Sequence, residues 1–173
     1  MTLKEIIDLA YFRCDEDIED RETMIDKIVI NAINQGYCFI STTKDKKTKV
    51  ASLTYSEKIS LPTDYFELVE IKHSSYGILA KTDYLIEGDL LIPKVGEITT
   101  GTFTLTYIFI PVFVTAETTA LGLKDIYCTS LAAYAAYQYM LSQKQYQSAT
   151  MFLNEFNMIL NSNTTKGGII NEA

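Results

Sequence analysis

The chain predicts an α+β fold: a mainly helical bundle, made of an N-terminal helix pair and a C-terminal helical hairpin, with a small antiparallel β-module inserted. Three observations predict it. Apolar residues recur at helical spacing up to about residue 35 and again from about 123. Between about 37 and 111 they alternate or cluster in short β-branched and aromatic runs. Pro62, Gly88 and Pro111 punctuate that middle stretch where strands and turns would end.

The first helix is expected over about 2–13. Leu3, Ile6, Ile7 and Ala10 form one face, Thr2 stands as N-cap, and Glu5 three residues later completes a capping-box pattern. The second is expected over about 20–35. The acidic stretch Asp15-Glu16-Asp17-Ile18-Glu19-Asp20 favours a helix N-terminus, the stripe Ile25, Ile28, Val29, Ala32 and Ile33 follows, and Gly36 reads as the C-terminal cap.

From Tyr37 the pattern reads as β. Lys44-Asp45-Lys46-Lys47-Thr48-Lys49 lies between Cys38-Phe39-Ile40 and the alternating Ala51, Leu53 and Tyr55, so it reads as a hairpin tip or exposed loop joining β segments. Phe66 to Lys72 reads as a strand, and Glu87-Gly88-Asp89 marks a hairpin within Tyr84 to Ile92. Phe103 to Ile110 begins half-exposed and is expected to finish buried on both faces.

A Thr/Ala-rich link then leads to helices over about 123–142 and 146–160. Ala132, Ala133, Ala135 and Ala136 give the first of these high helix propensity and a smooth surface, beside a stripe of Tyr127, Leu131, Tyr134, Tyr137 and Leu141. Ala149, Phe152, Leu153, Phe156, Ile159 and Leu160 give the second its apolar face, and the short connection makes the two an antiparallel pair. Residues 1–160 read as one domain and 161–173 as a flexible C-terminal arm, whose Ile169-Ile170 either frays or docks on a neighbour.

Composition narrows function. A length of 173 residues with 47% hydrophobic content suits one core. A net charge of -7 argues against a surface that coats nucleic acid, which needs clustered cations. The start lacks a secretory pattern and no apolar run approaches the roughly 20 residues of a membrane span, so a soluble cytosolic chain is expected. Cys14, Cys38 and Cys128 are odd in number and widely spaced, as expected for reduced, mostly buried thiols.

No catalytic, cofactor or metal residues are nominated. His73 is the only histidine, in a strand-like run, and reads as structural or exposed; no GxGxxG, P-loop, HExxH or paired CxxC is present. The acidic stretch lacks the central Gly of a calcium loop and fits helix capping better. Glu67 and Glu70 read as solvated strand positions. Lys44, Lys46, Lys47 and Lys49 form the one local basic patch. It reads as a solvated loop tip or, if copies form a ring, as a loop offered to DNA threading the hole or to a partner protein. The 12 Tyr and 8 Phe exceed one small core's need and point to oligomerisation.

These features together resemble the head-to-tail connector proteins of tailed bacteriophages, also called adaptor or head completion proteins. The similarity runs over about residues 2–160. It rests on the opening helices, on Leu61-Pro62-x-Asp64-Tyr65-x-Glu67-Leu68-x-x-Ile71, and on the hairpin at Gly88-Asp89. Tyr107-Ile108-x-x-Pro111 and the Ala/Tyr-rich helical pair complete it.

The resemblance implies a structural, non-enzymatic virion protein at the neck, made in the host cytoplasm. It implies a dodecameric ring beneath the portal protein that joins head to tail, receives a tail or stopper protein and lets packaged DNA pass without sequence-specific binding. A C-terminal arm that docks on the portal makes Ile169 and Ile170 its candidates. Two other readings stay open: a different neck or tail-completion component, and a cytosolic α+β binding module or an enzyme with a motif-free acidic site.

Overall fold

A computed structural model describes residues 1–14, 23–94, 98 and 100–162. The elements, in order, are α1 (Leu3–Arg13), α2 (Thr23–Thr43), β1 (Thr48–Thr54), β2 (Ile59–Ser60), β3 (Tyr65–His73), β4 (Gly77–Ile78), β5 (Tyr84–Glu87), β6 (Leu90–Pro93), β7 (Thr102–Phe109), α3 (Asp125–Ser142) and α4 (Tyr146–Ser162). The fold is the expected α+β one, with helix pairs at both ends and antiparallel sheets between them. The chain divides into a helical unit, Met1–Asp45 with the chain from Val112 onward, and a β unit, Lys46–Pro111.

In the helical unit α3 is the central element, and α1, α2 and α4 all pack on it. Ala132, Ala133, Ala135 and Ala136 are fully buried, so the small side chains let three neighbours approach one helix from different sides. Tyr127, Leu131 and Tyr139 are buried with them, while Tyr134 and Tyr137 are half-buried. The α3–α4 turn is short: Lys144 takes a left-handed φ of 59°, and its N–H donates to Leu141 O. Arg13 of α1 reaches Glu155 of α4 at 2.8 Å.

The start of α1 is closed from two directions. Glu5 N–H donates to the Thr2 hydroxyl while Thr2 N–H donates to the Glu5 carboxylate at 2.7 Å, the predicted capping box. That bond from the Thr2 backbone holds the Glu5 carboxyl below its ordinary range. The Leu3 and Lys4 N–H groups, which have no partner inside the helix, donate to Thr119 O and Glu117 O of the segment before α3.

Helix α2 corrects the sequence reading. It does not stop at Gly36 but continues to Thr43, so Cys38-Phe39-Ile40 is helical and the β unit begins at Lys46, not near 37. Gly36 is a contact residue, not a cap: a Cβ there would meet Leu131 Cδ2 at 2.6 Å. Glycine in a helix interior costs about 1 kcal/mol relative to alanine. Close packing on α3 outweighs that local preference. The helix ends where Thr42 and Thr43 hydroxyls turn back on Cys38 O and Phe39 O. The acidic stretch Asp15 to Asp20 lies outside the described residues.

The β unit holds a four-stranded sheet in the order β1-β7-β3-β4 and a three-stranded sheet in the order β2-β6-β5, with every pairing antiparallel. The last strand in sequence, β7, thus lies between β1 and β3. One β7 face alternates Phe103, Leu105 and Tyr107 into the β core with Ile71 and Leu91. Ile108 is also buried, but Ile110 is 40% exposed, contrary to the expected two-sided burial. The strand has ended by then, and Ile110 N–H donates to Asp64 O instead of a ladder partner. In the β5–β6 hairpin Gly88 supplies the positive φ of a two-residue turn.

Candidate partner interface

The four lysines nominated from sequence occupy the passage from α2 into β1; this is not a hairpin tip. Lys44 N–H donates to Ile40 O as the helix closes, Lys46 and Lys47 follow, and Lys49 lies in the edge strand β1. Lys46 Nζ is 3.1 Å from Glu67 Oε2, so Glu67 is paired. Lys49 pairs with Asp64 and stands 4.3 Å from the Phe109 ring centroid, a cation–π distance.

Asp64 explains why Leu61-Pro62-Thr63-Asp64-Tyr65 and Tyr107 belong together. Its carboxylate accepts from Lys49 on one oxygen and from Tyr107 OH at 2.9 Å on the other, and its carbonyl accepts from Ile110 N–H. One residue therefore ties the entry to β3 to β1 and to the end of β7. The Lys49 bond, with Tyr107 adding to it, holds the Asp64 carboxyl below its ordinary range against the opposing effect of partial burial. Burial, then the bond to Asp64, pushes the Tyr107 phenol up.

His73 is buried, and both of its nitrogens are used. Ser75 N–H donates to Nδ1, which makes that nitrogen the acceptor; Nε2 therefore carries the proton and donates to Thr100 O at 2.9 Å. The ring packs edge-on to Phe103 with centroids 5.0 Å apart. This geometry gives the histidine a structural role. Glu70 pairs with Lys72. No group of three or more His, Cys, Asp or Glu side chains able to hold a metal occurs among the described residues. No helix among them is long and apolar enough to cross a membrane. Cys14 and Cys128 are buried and Cys38 half-buried, none in a disulfide, and burial pushes the Cys128 thiol up.

Two apolar features of the helical unit escaped the sequence reading. The first is the pair Val112 and Phe113, 82% and 61% exposed at the head of the segment that returns to α3. The pair is held from behind. Val114 N–H donates to Asn34 Oδ1 at 2.6 Å, and Asn34 Nδ2 donates to Val114 O at 2.9 Å. The second is a groove of about 240 Å³ lined by Gln35, Gly36, Phe39, Tyr134 and Phe156. The Tyr134 and Phe156 rings meet there at 5.0 Å, tilted by 38°, and Phe39 is 46% exposed. Only the Val-Phe-Val run after Pro111 signals the first feature in sequence. Nothing local signals the groove, which needs three helices. Ile169 and Ile170, nominated as a docking arm, lie outside the described residues.

These surfaces suit protein contacts, since they expose aromatic and apolar side chains. Residues 1–168 match the family model described as SU10 adaptor protein. No individual curated protein matches the chain. The match spans both units and all eleven elements, and the chain accordingly belongs to the SU10 adaptor protein family, a family of phage head–tail adaptors.

Proposed function

We propose that this adaptor assembles as a closed, twelve-fold ring on the tail-facing side of the portal protein, where it joins head to tail and prolongs the DNA channel. The observation that carries the reading is the family match over residues 1–168. The chemistry of the chain supports it. A net charge of -7 per copy suits a channel that DNA slides through without sticking. The pairing of Lys46 with Glu67 and of Lys49 with Asp64 blunts the one basic segment, which favours a contact with a tail or stopper protein over a grip on DNA.

In this reading the Lys44 to Lys49 passage is a partner loop, and Ile169-Ile170 is the portal-docking part of the C-terminal arm. Residues 1–160 act as the connector body. The test is negative-stain imaging of purified portal rings with and without the adaptor. Added density at one end of the portal is expected; portals that stay bare at saturating adaptor contradict the proposal.

A further inference from the structure

The geometry points to a copy-to-copy contact in which Val112 and Phe113 of one adaptor seat in the groove formed by Gly36, Phe39, Tyr134 and Phe156 of another. This rests on the ring reading and names the surfaces that would build it.

Charge favours a second copy as the occupant. With 22 acidic residues against 15 basic ones, two copies repel wherever their carboxylates face each other. The C-terminal helices are the exception. The 18-residue α3 and the 17-residue α4 carry one charged residue each, Asp125 and Glu155, and Glu155 is already paired with Arg13. The groove lining holds no charge, and neither do Val112 and Phe113. A like-charged copy can therefore meet this face without bringing carboxylates together. Depletion of charge with enrichment in Tyr, Phe and Met is the composition of an interface centre.

Order and placement agree with charge. The Asn34 clamp on Val114 fixes the backbone beside Phe113 before any partner arrives, so little chain entropy remains to be lost on binding. Each helical position turns by about 100°, so Gln35 and Phe39 lie about 100–140° around α2 from Asn34. The anchored pair and the groove thus occupy different sides of α2. A head-to-tail contact that repeats around a ring needs two such patches on one subunit.

The experiment uses the full chain in sedimentation velocity over a concentration series, alone and with portal rings, for wild type, F113D and F39E. Both side chains are exposed, so unchanged melting curves are expected for the variants. Each variant should shift assembly to at least about tenfold higher concentration, since a buried aromatic anchor commonly contributes more than one decade of affinity. An equimolar mixture should form a 1:1 heterodimer, because F113D keeps its groove and F39E keeps its apolar pair. Where assembly needs the portal, the same comparison is read as copies bound per portal ring.

Variants that assemble like wild type overturn this contact and leave the ring reading standing, as does a mixture of monomeric variants that stays monomeric. An F39E protein that self-assembles but no longer binds the portal makes the portal the occupant and overturns the contact. A wild type that remains monomeric alone and with the portal overturns both readings.

Discussion

Asn34 uses its side-chain amide as a strand uses its backbone: it accepts from the N–H of Val114 and donates to the C=O of Val114, at 2.6 and 2.9 Å. Asn34 is 2% exposed, so these bonds form away from water. They begin a series that continues with Glu117 O and Thr119 O receiving the N–H groups of Lys4 and Leu3. The irregular segment between β7 and α3 is thereby a pinned strap, not a loose loop. Asn34→Ala leaves both Val114 groups without their partner. The expected loss is about 1–3 kcal/mol in urea unfolding, with faster amide exchange at Val114 as the local signature.

The Asp64 network predicts a pH dependence with a definite sign. Its carboxyl is held below the ordinary value in the fold, by Lys49 first and Tyr107 second, so its contribution is fully present above the unfolded aspartate pKa. It is lost as pH falls through the lower, folded value. Asp64→Asn should cost about 1 kcal/mol near neutral pH, a modest figure because Lys49 is half-exposed. The gap between wild type and variant should close as the solution is acidified below pH about 4. Urea midpoints measured across that range check it.

The two close-approach glycines should respond differently to alanine. Gly101 has φ +112°, and a Cβ would stand 2.5 Å from His73 Nε2, whose ring is held by Thr100 and Ser75. Strain and overlap add, so Gly101→Ala should cost at least about 2 kcal/mol. At Gly36 the clash is with a leucine methyl of α3 and costs about 1–3 kcal/mol, offset by about 1 kcal/mol of improved helix propensity. Denaturant midpoints should place Gly36→Ala above Gly101→Ala.

Reversing Lys46 and Lys47 to glutamate tests the partner loop. Lys46 is exposed and its pair with Glu67 is a surface one, so the double variant should melt within a few degrees of wild type. It should still load on portals but fail to recruit the next neck component, seen by co-sedimentation. Normal recruitment would return the segment to an ordinary solvated passage.

Much of the fold was legible because its signals are local. Thr2 and Glu5 write a capping box, Ala132 to Ala136 write a helix that others can approach, and Gly88-Asp89 writes a hairpin. The misreading at Gly36 has a physical cause. A glycine that ends a helix and one that admits a neighbouring helix look alike until Leu131, 95 positions on, is placed against it. The lysine run was misplaced for the same reason, since carrying α2 through to Thr43 turns a supposed hairpin tip into a helix-to-strand passage. The role of Asp64 was legible only as part of a pattern: its partners Lys49 and Tyr107 lie 15 and 43 positions away. The Val112–Phe113 pair was legible only as an apolar run after Pro111 and the groove not at all, because exposure and concavity belong to the assembled helices and not to any one segment.

A ring-forming adaptor must add its own mass to the portal in a fixed ratio. This is tested most directly by light-scattering mass of the purified protein, alone and after mixing with portal rings. The expected result is either a closed ring of about twelve copies in solution or a monomer that adds about twelve copies to each portal. A monomer that adds no mass to the portal at any ratio would contradict it.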